Sequence, residues 1–344
     1  MKRRELGKIA SLILAGVLAG GLAACGGSAS DASSAASTTE AASAAEDTAA
    51  ESEAAEDTEA ADDAAADDAA AEEGGSTVKL DENAEGEITA AGSSALQPLA
   101  DAAAKEFMTQ YPGVVITVDA GGSGTGIQNV SDGTVTIGNS DVYAEEKLDD
   151  PEKAKELVDH KVCAIGFAAV VSQDVYDSGV TNLTSDQLTK IFTGEITNWK
   201  DVNGEDKEIT LITRPDGSGT RATFEKVAMG GAKELDSANQ TDNSTELQTM
   251  IQTTEGSIGY LAFSYTIGAP ADGVCPVAVD GVEPTLENVY SGDYKIWAFE
   301  HMYTKGDPDE VTQAYLDYIM NDYSDQVESQ GYCVSNKLTK TDGY

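Results

Sequence analysis

The chain has 344 residues and a formal net charge of −40, from 61 acidic against 21 basic side chains. A field of that sign excludes nucleic acid and anionic lipid as partners held by global charge, so an anion could be held only by short-range hydrogen bonds and local dipoles. With two His in the whole sequence, a multi-histidine metal site is excluded as well.

From the N-terminus, Lys2-Arg3-Arg4 and Lys8 precede a short apolar stretch, Ile9 to Leu18, which ends at Leu22-Ala-Ala-Cys25. The stretch is too short and too rich in small residues for a spanning helix and reads as an export signal over residues 1–24. Its ending resembles the bacterial lipobox, in which the Cys after the cleavage point, here Cys25, is acylated. More than one acyl chain there would anchor the protein stably to a membrane surface. Residues 28–76 are almost entirely Ala, Ser, Thr, Asp and Glu, with 15 acidic residues and no Lys or Arg. Like charges without large apolar residues predict that 25–76 is a disordered acidic tether with a reach on the order of 40 Å.

The remainder, from about residue 77, is long enough for a two-lobed core. Ile88-Thr-Ala-Ala91 predicts a strand, followed by Gly92-Ser93-Ser94. A helix follows, with Pro98 in its first turns and Leu96, Leu99, Ala103 and Phe107 at helical spacing, stopped by Tyr111-Pro-Gly113. Val114–Val118 predicts the next strand, running into Gly121-Gly-Ser-Gly-Thr-Gly126 and a short helix from near Ile127. A third strand is expected over Val135–Ile137, with Asp141 after it. Cys163 sits in an apolar run and reads as a small core residue, and His160 as the terminus of an element. Thr184 with Gln187 forms a capping-box pattern ahead of Leu188, Ile191 and Phe192.

The apolar run Ile209–Thr213 leads into Arg214-Pro-Asp-Gly-Ser-Gly-Thr220 and then Arg221-Ala-Thr-Phe224. A strand ending in Arg, with Gly, Ser, Gly and Thr opening a helix, describes a site for a small oxyanion. The helix start offers unpaired N–H groups and about half a positive charge. Ser218 and Thr220 add hydroxyl donors, Gly217 and Gly219 permit close approach, and Arg214 supplies a fixed fork of charged donors. No Lys follows the second glycine, so this is not the nucleotide P-loop pattern. Three strand-to-helix junctions thus carry Ser or Thr with Gly. In an open α/β sheet such junctions gather at the carboxyl ends of the strands, where ligands bind.

These segments resemble the phosphate-binding lipoproteins of bacterial phosphate ABC importers, in the form found in Gram-positive bacteria. The likeness rests on Ala91-Gly-Ser-Ser-Ala95, Gly121–Gly126, Ile137-Gly-Asn-Ser-Asp141 and Arg214–Arg221, with secondary matches at Leu157–Lys161, Ile191–Gly194, Asn198-Trp199 and Gly256–Tyr260. The resemblance implies an α/β, two-lobed periplasmic-binding-protein-like fold of type II, with two chain crossovers at a hinge. Lobe one would hold 77–165 and 269–344, and lobe two 166–268. It implies an anion held by the Ser94 hydroxyl, the Ala95 N–H, Ser123, Asp141, Arg214, Ser218, Gly219 and Thr220, with no cofactor and no metal. The family commonly has an aromatic residue where Ala95 stands, though only the N–H is needed there. The implied protein is a monomer on the extracytoplasmic face of the cell membrane, lipid-anchored, with inorganic phosphate and an ABC permease as partners.

Asp141 is the discriminating member of that set. A carboxylate repels an anion unless the anion brings a proton to donate; phosphate near neutral pH keeps at least one, and sulfate has none. The alternatives are a binding protein for another oxyanion, such as sulfate or molybdate, and a secreted phosphoester hydrolase. The hydrolase would need a metal cluster or an activated nucleophile that the sequence does not offer. A Cys275–Cys333 bridge and the role of Arg221 stay open.

Overall fold

The computed structural model describes residues 80–237, 239–339 and 341; the expected signal, Cys25 and the tether lie outside the described residues. The first part of the fold is a run of parallel strands: β1 (Gly86–Gly92), α1 (Gln97–Gln110), β2 (Val114–Ala120), α2 (Ser123–Ser131) and β3 (Ile137–Ser140). The helix α1 carries Pro in its first turn and buries Leu99, Ala100, Ala103, Ala104 and Phe107, the stripe that the sequence spacing demands. Its C-terminus is at Gln110, before the Tyr111-Pro-Gly stop. Two boundaries differ from expectation. The helix α2 starts at Ser123 because Gly122, at φ 80°, serves as its cap, and β3 runs from Ile137 to Ser140, not over Val135–Ile137. Thr136 instead pairs sideways with Thr89, a side-chain contact that no local pattern announces.

The short α3 (Pro151–Lys155) then leads into β4 (Leu157–Ser172), whose 16 residues carry the chain from one group of strands to another. Residues Leu157–Gly166 of β4 pair with β10 (Trp297–Lys305), and Phe167–Val171 pair with β7 (Ser257–Ala262). The second group is built from α4 (Gln173–Asp177), β5 (Asn182–Leu183), α5 (Ser185–Phe192), β6 (Thr210–Leu211), α6 (Gly219–Val227), α7 (Ser244–Thr253), β7, β8 (Val274–Pro276) and β9 (Ala278–Val279). After α8 (Leu286–Ser291), β10 returns the chain to the first group, and α9 (Glu310–Asp317), α10 (Ser324–Val327) and β11 (Tyr332–Cys333) complete it. The main sheet has the order β2-β1-β3-β10-β4-β7-β6, with β8 and β11 also paired to β4. β1, β2 and β3 run parallel, as do β6 and β7, while β10 is antiparallel to both β3 and β4.

The buried run Val162–Ser172 explains why β4 reads as continuous apolar sequence: both of its faces are covered. His160 therefore stands within β4 rather than at an element's end, its Nε2 3.0 Å from Thr304 Oγ1. Cys163 is a buried core residue. The Thr184–Gln187 capping box forms at the start of α5 with both reciprocal bonds. Cys163, Cys275 and Cys333 are free thiols. Cys275 pairs opposite Val171 and Cys333 opposite Ala164. At about 3.3 Å per strand residue that separation exceeds the reach of a disulfide. Among the described residues no helix is long and apolar enough to cross a membrane.

Candidate anion site

Four chain segments meet where the strands of both groups end. At the first junction, the Ser93 hydroxyl donates to Asp141 Oδ1 and accepts the N–H groups of Ala95 and Leu96, both at 3.1 Å. Ser94 Oγ accepts from Arg214 Nη2 at 3.0 Å and shares a 2.8 Å hydrogen bond with Ser244 Oγ. At the second, Ser123 Oγ accepts the N–H of Asp141 at 3.0 Å. Asp141 itself directly follows β3, and its Oδ2 accepts from Thr220 Oγ1 at 2.7 Å. Thr220 stands in the first turn of α6, where the Ser218 hydroxyl caps the helix by accepting the Arg221 N–H at 3.2 Å. Gly219 between them packs so tightly on Ser123 and on Asp141 Cβ that any side chain there would collide with Ser123 Oγ. That close approach is why the turn needs glycine.

Arg214 is 1% exposed. Its Nη2 donates to the Asp242 carbonyl at 2.8 Å as well as to Ser94, and its Nη1 donates to Ser244 Oγ at 3.3 Å. Its Nε–H is buried and has no acceptor among the described residues. The Asp242 carboxylate lies 3.7 Å from Nη2. Burial pushes the Asp242 carboxyl up, with Asp141 adding to the push and Arg214 opposing it.

Arg221, whose role the sequence left open, turns away from this cluster. It donates to the Arg214 carbonyl at 2.8 Å and pairs with Glu225 at 3.0 Å, Glu234 at 3.2 Å, and Asp216 and Asp236 at 3.3 Å each. It fixes the backbone that carries Arg214. Lys147 Nζ reaches the same loop, donating to the carbonyls of Asp216 at 2.8 Å and Ser218 at 3.2 Å. Desolvation pulls its ammonium pKa down. The Gly-Ser-Gly-Thr turn thus has a lysine ammonium beside it, brought there from the segment after β3.

All eight residues named from the sequence fall in this one cluster. The Ala95 N–H and the Ser218 hydroxyl, expected to face a ligand, are engaged in local caps; Ser94, Ser123, Asp141, Arg214, Gly219 and Thr220 hold the centre. Sequence reasoning missed Ser93, Asp242, Ser244 and Lys147. The Asp242-Asn-Ser244 run ahead of α7 carries the polar signature of a helix start, with Asn243 as the cap, and was the available signal for two of them.

The chain as a whole has counterparts among known proteins. The family model described as "PBP superfamily domain" matches residues 77–323. The chain belongs to the PBP superfamily. It is 48% identical over 258 residues to the phosphate-binding protein PstS of Bacillus subtilis, covering 74% of this chain and 83% of that one. It also resembles a Clostridium perfringens protein assigned as a phosphate ABC transporter substrate-binding protein and solved with bound phosphate (29% identity, TM-score 0.64, 72% of this chain and 99% of that one). An ABC-type phosphate transport receptor from Vibrio cholerae aligns with 27% identity and a TM-score of 0.57, again over 72% and 99% of the two chains. The fold is the two-lobed, type II periplasmic-binding-protein architecture that the sequence motifs imply.

The anchoring cluster behind Arg214 generates a pH prediction. Glu234, 5% exposed, accepts from Tyr260 OH at 3.0 Å and pairs with Arg221, yet burial pushes its carboxyl up to about 7. Between the ordinary carboxylate range and that value the native state binds more protons than the unfolded chain, so this group makes stability fall as pH rises. Glu234→Gln should flatten the dependence of Tm on pH across that window in scanning calorimetry. An unchanged slope would show that Glu234 is not the group responsible.

Proposed function

We propose that this protein captures inorganic phosphate at the Arg214–Asp141 site on the extracytoplasmic side of a membrane and delivers it to an ABC permease. The observation that carries the reading is the pairing of opposite demands within one buried cluster. Arg214 with its unmet Nε–H, and the hydroxyls of Ser94 and Ser123, call for an anion, with Thr220 beside them on Asp141. Asp141 calls for a ligand that still carries a proton. Phosphate meets both demands and sulfate only the first. The similarity to phosphate-binding proteins supports the same ligand. Charge-assisted hydrogen bonds at about 1.5–3 kcal/mol each suffice for micromolar capture, about 8 kcal/mol.

On this reading the eight residues act by binding alone, without turnover of the ligand. The change of partner along β4 from β10 to β7 after Gly166 supports a first crossover at the 165–166 boundary, and the pairing of β8 and β9 with β4 and β5 supports a return to the first lobe after 279 rather than at 269. Cys25 carries the lipid, and the acidic segment after it holds the lobes away from the membrane.

Three outcomes test this reading. Arg214→Met should cost on the order of 2–5 kcal/mol of phosphate affinity, since the anion loses its buried charged partner. By contrast, Lys190 and Lys200, which form exposed pairs with Asp186 and Asp206, should be replaceable at almost no cost. Equal losses in calorimetric titration would mean that general charge holds the ligand. Asp141→Asn should narrow the gap between phosphate and sulfate at fixed ionic strength, because an amide can donate to an unprotonated oxyanion; wild type binding both anions equally would refute the proton-reading role. Cys25→Ser should move the protein out of the membrane fraction or leave it unprocessed, and a variant that fractionates as wild type does would remove the anchor.

A further inference from the structure

Glu300, on β10, is completely buried. Neither of its carboxyl oxygens has a hydrogen-bond partner of ordinary donor type among the described residues. It precedes His301, the residue paired with Ser140, and Asp141 follows Ser140, so the two acids come next along the β3–β10 ladder, where β10 also carries an irregularity between Glu300 and His301. The ladder sets the Asp141 carboxyl beside it. Two ionised carboxylates offer each other only acceptors and cannot bond; a contact between them requires that one carry a proton.

We propose that Glu300 is a positioning residue of the anion site, holding a proton against Asp141 from the side away from the ligand and thereby leaving Asp141 as the ionised acceptor that reads the ligand's own proton. The inference rests on the phosphate reading above and adds the group that sets its alkaline limit. The assignment of the proton to Glu300 rather than Asp141 follows from their other partners. Asp141 receives the Ser93 and Thr220 hydroxyls and is the better-stabilised anion, whereas Glu300 receives none. Burial, reinforced by the nearby Asp141 charge, pushes the Glu300 carboxyl well above the usual carboxylate range.

The titratable groups turned toward Glu300 are Asp141 after β3, Cys163 opposite it on β4, and Tyr332 on β11, and none is a cation. Burial keeps the Cys163 thiol and Tyr332 phenol protonated as well. The helix α2 brings no charged side chain to β10. On α6 the charges are committed elsewhere, Arg221 to Glu225 and Glu234, and Lys226 to Glu146. No cation among the described residues is therefore placed to compensate an ionised Glu300. Once it loses its proton, a second negative charge stands behind Asp141 and the incoming anion is repelled.

The test uses the full chain as wild type and as Glu300→Gln, which keeps a donor and cannot ionise. At neutral pH the wild-type-minus-variant infrared difference spectrum should contain a protonated-carboxyl band, over and above the one that Glu234 contributes to both proteins. Titration with inorganic phosphate should give affinities that differ by less than about tenfold at mildly acidic pH, the equivalent of less than one charge-assisted bond. Toward alkaline pH wild type should weaken more than the variant; Lys147, whose proton is lost early, weakens both alike. Wild type that binds phosphate but gives no difference band, or that weakens in parallel with Glu300→Gln, overturns the proposal alone. Wild type that does not bind phosphate at any pH overturns the ligand reading and this inference with it. Should the Gln variant fail to fold, Glu300→Leu tests the pH profile, and the wild-type-minus-Leu difference band decides where the proton is.

Discussion

A guanidinium that is almost wholly withdrawn from water must be surrounded by acceptors, and the packing around Arg214 is organised by that demand. Its partners come from two places far apart in sequence: Ser94 after β1, and Asp242 and Ser244 at the start of α7. Its own carbonyl is held by Arg221, which in turn draws Glu225, Glu234, Asp216 and Asp236 around it. Removing a buried charge's partners costs far more than the pairs contribute when intact. The loop between β6 and α6 is therefore held by electrostatic necessity more than by apolar burial.

The same constraint reconciles an anion site with a chain of net charge −40. Long-range attraction is absent, so selectivity has to come from contact geometry, where water is excluded and each donor counts at its full strength. Asp141 shows how strongly that geometry is exploited. A carboxylate in an anion site is tolerable only because the Ser93 and Thr220 hydroxyls address it with donors from two different parts of the chain. Phosphate capture by such a site does not depend on the protein being attractive to anions in general.

Much of this was legible from the residues because turn chemistry is local. Gly92-Ser-Ser, Gly121–Gly126 and Arg214–Thr220 announce strand-to-helix junctions through the backbone freedom of Gly and the capping capacity of Ser and Thr, and all three junctions form, the second with its helix starting at Ser123 rather than near Ile127. The capping box at Thr184 belongs to the same class. What escaped was set by distance in sequence. Ser244 and Asp242 join the site only because α7 packs beside β1's end, about 150 residues away. Glu300 gives no local sign of its burial, since a lone acid in a strand reads as a solvent-facing position until its neighbours are known. His160 was misplaced for a related reason: its partner, Thr304, lies on the returning strand.

The strand β4 has a mechanical meaning beyond topology. Because one unbroken backbone of 16 residues belongs to the pairing of both strand groups, any rotation of one group against the other must be absorbed as bending and twisting of β4 and of β10 beside it, not as free swivelling of a loop. Such a junction behaves as a leaf spring: it has a preferred angle, a restoring torque and a fixed axis. The place where the strand changes partner, Gly166–Phe167, is braced by the Phe263 ring pressed against Gly166, so the spring is stiffest where it would be expected to give. A ligand that draws the two sets of turns together works against this elastic element. Release of the ligand then recovers part of that work as motion along a single trajectory.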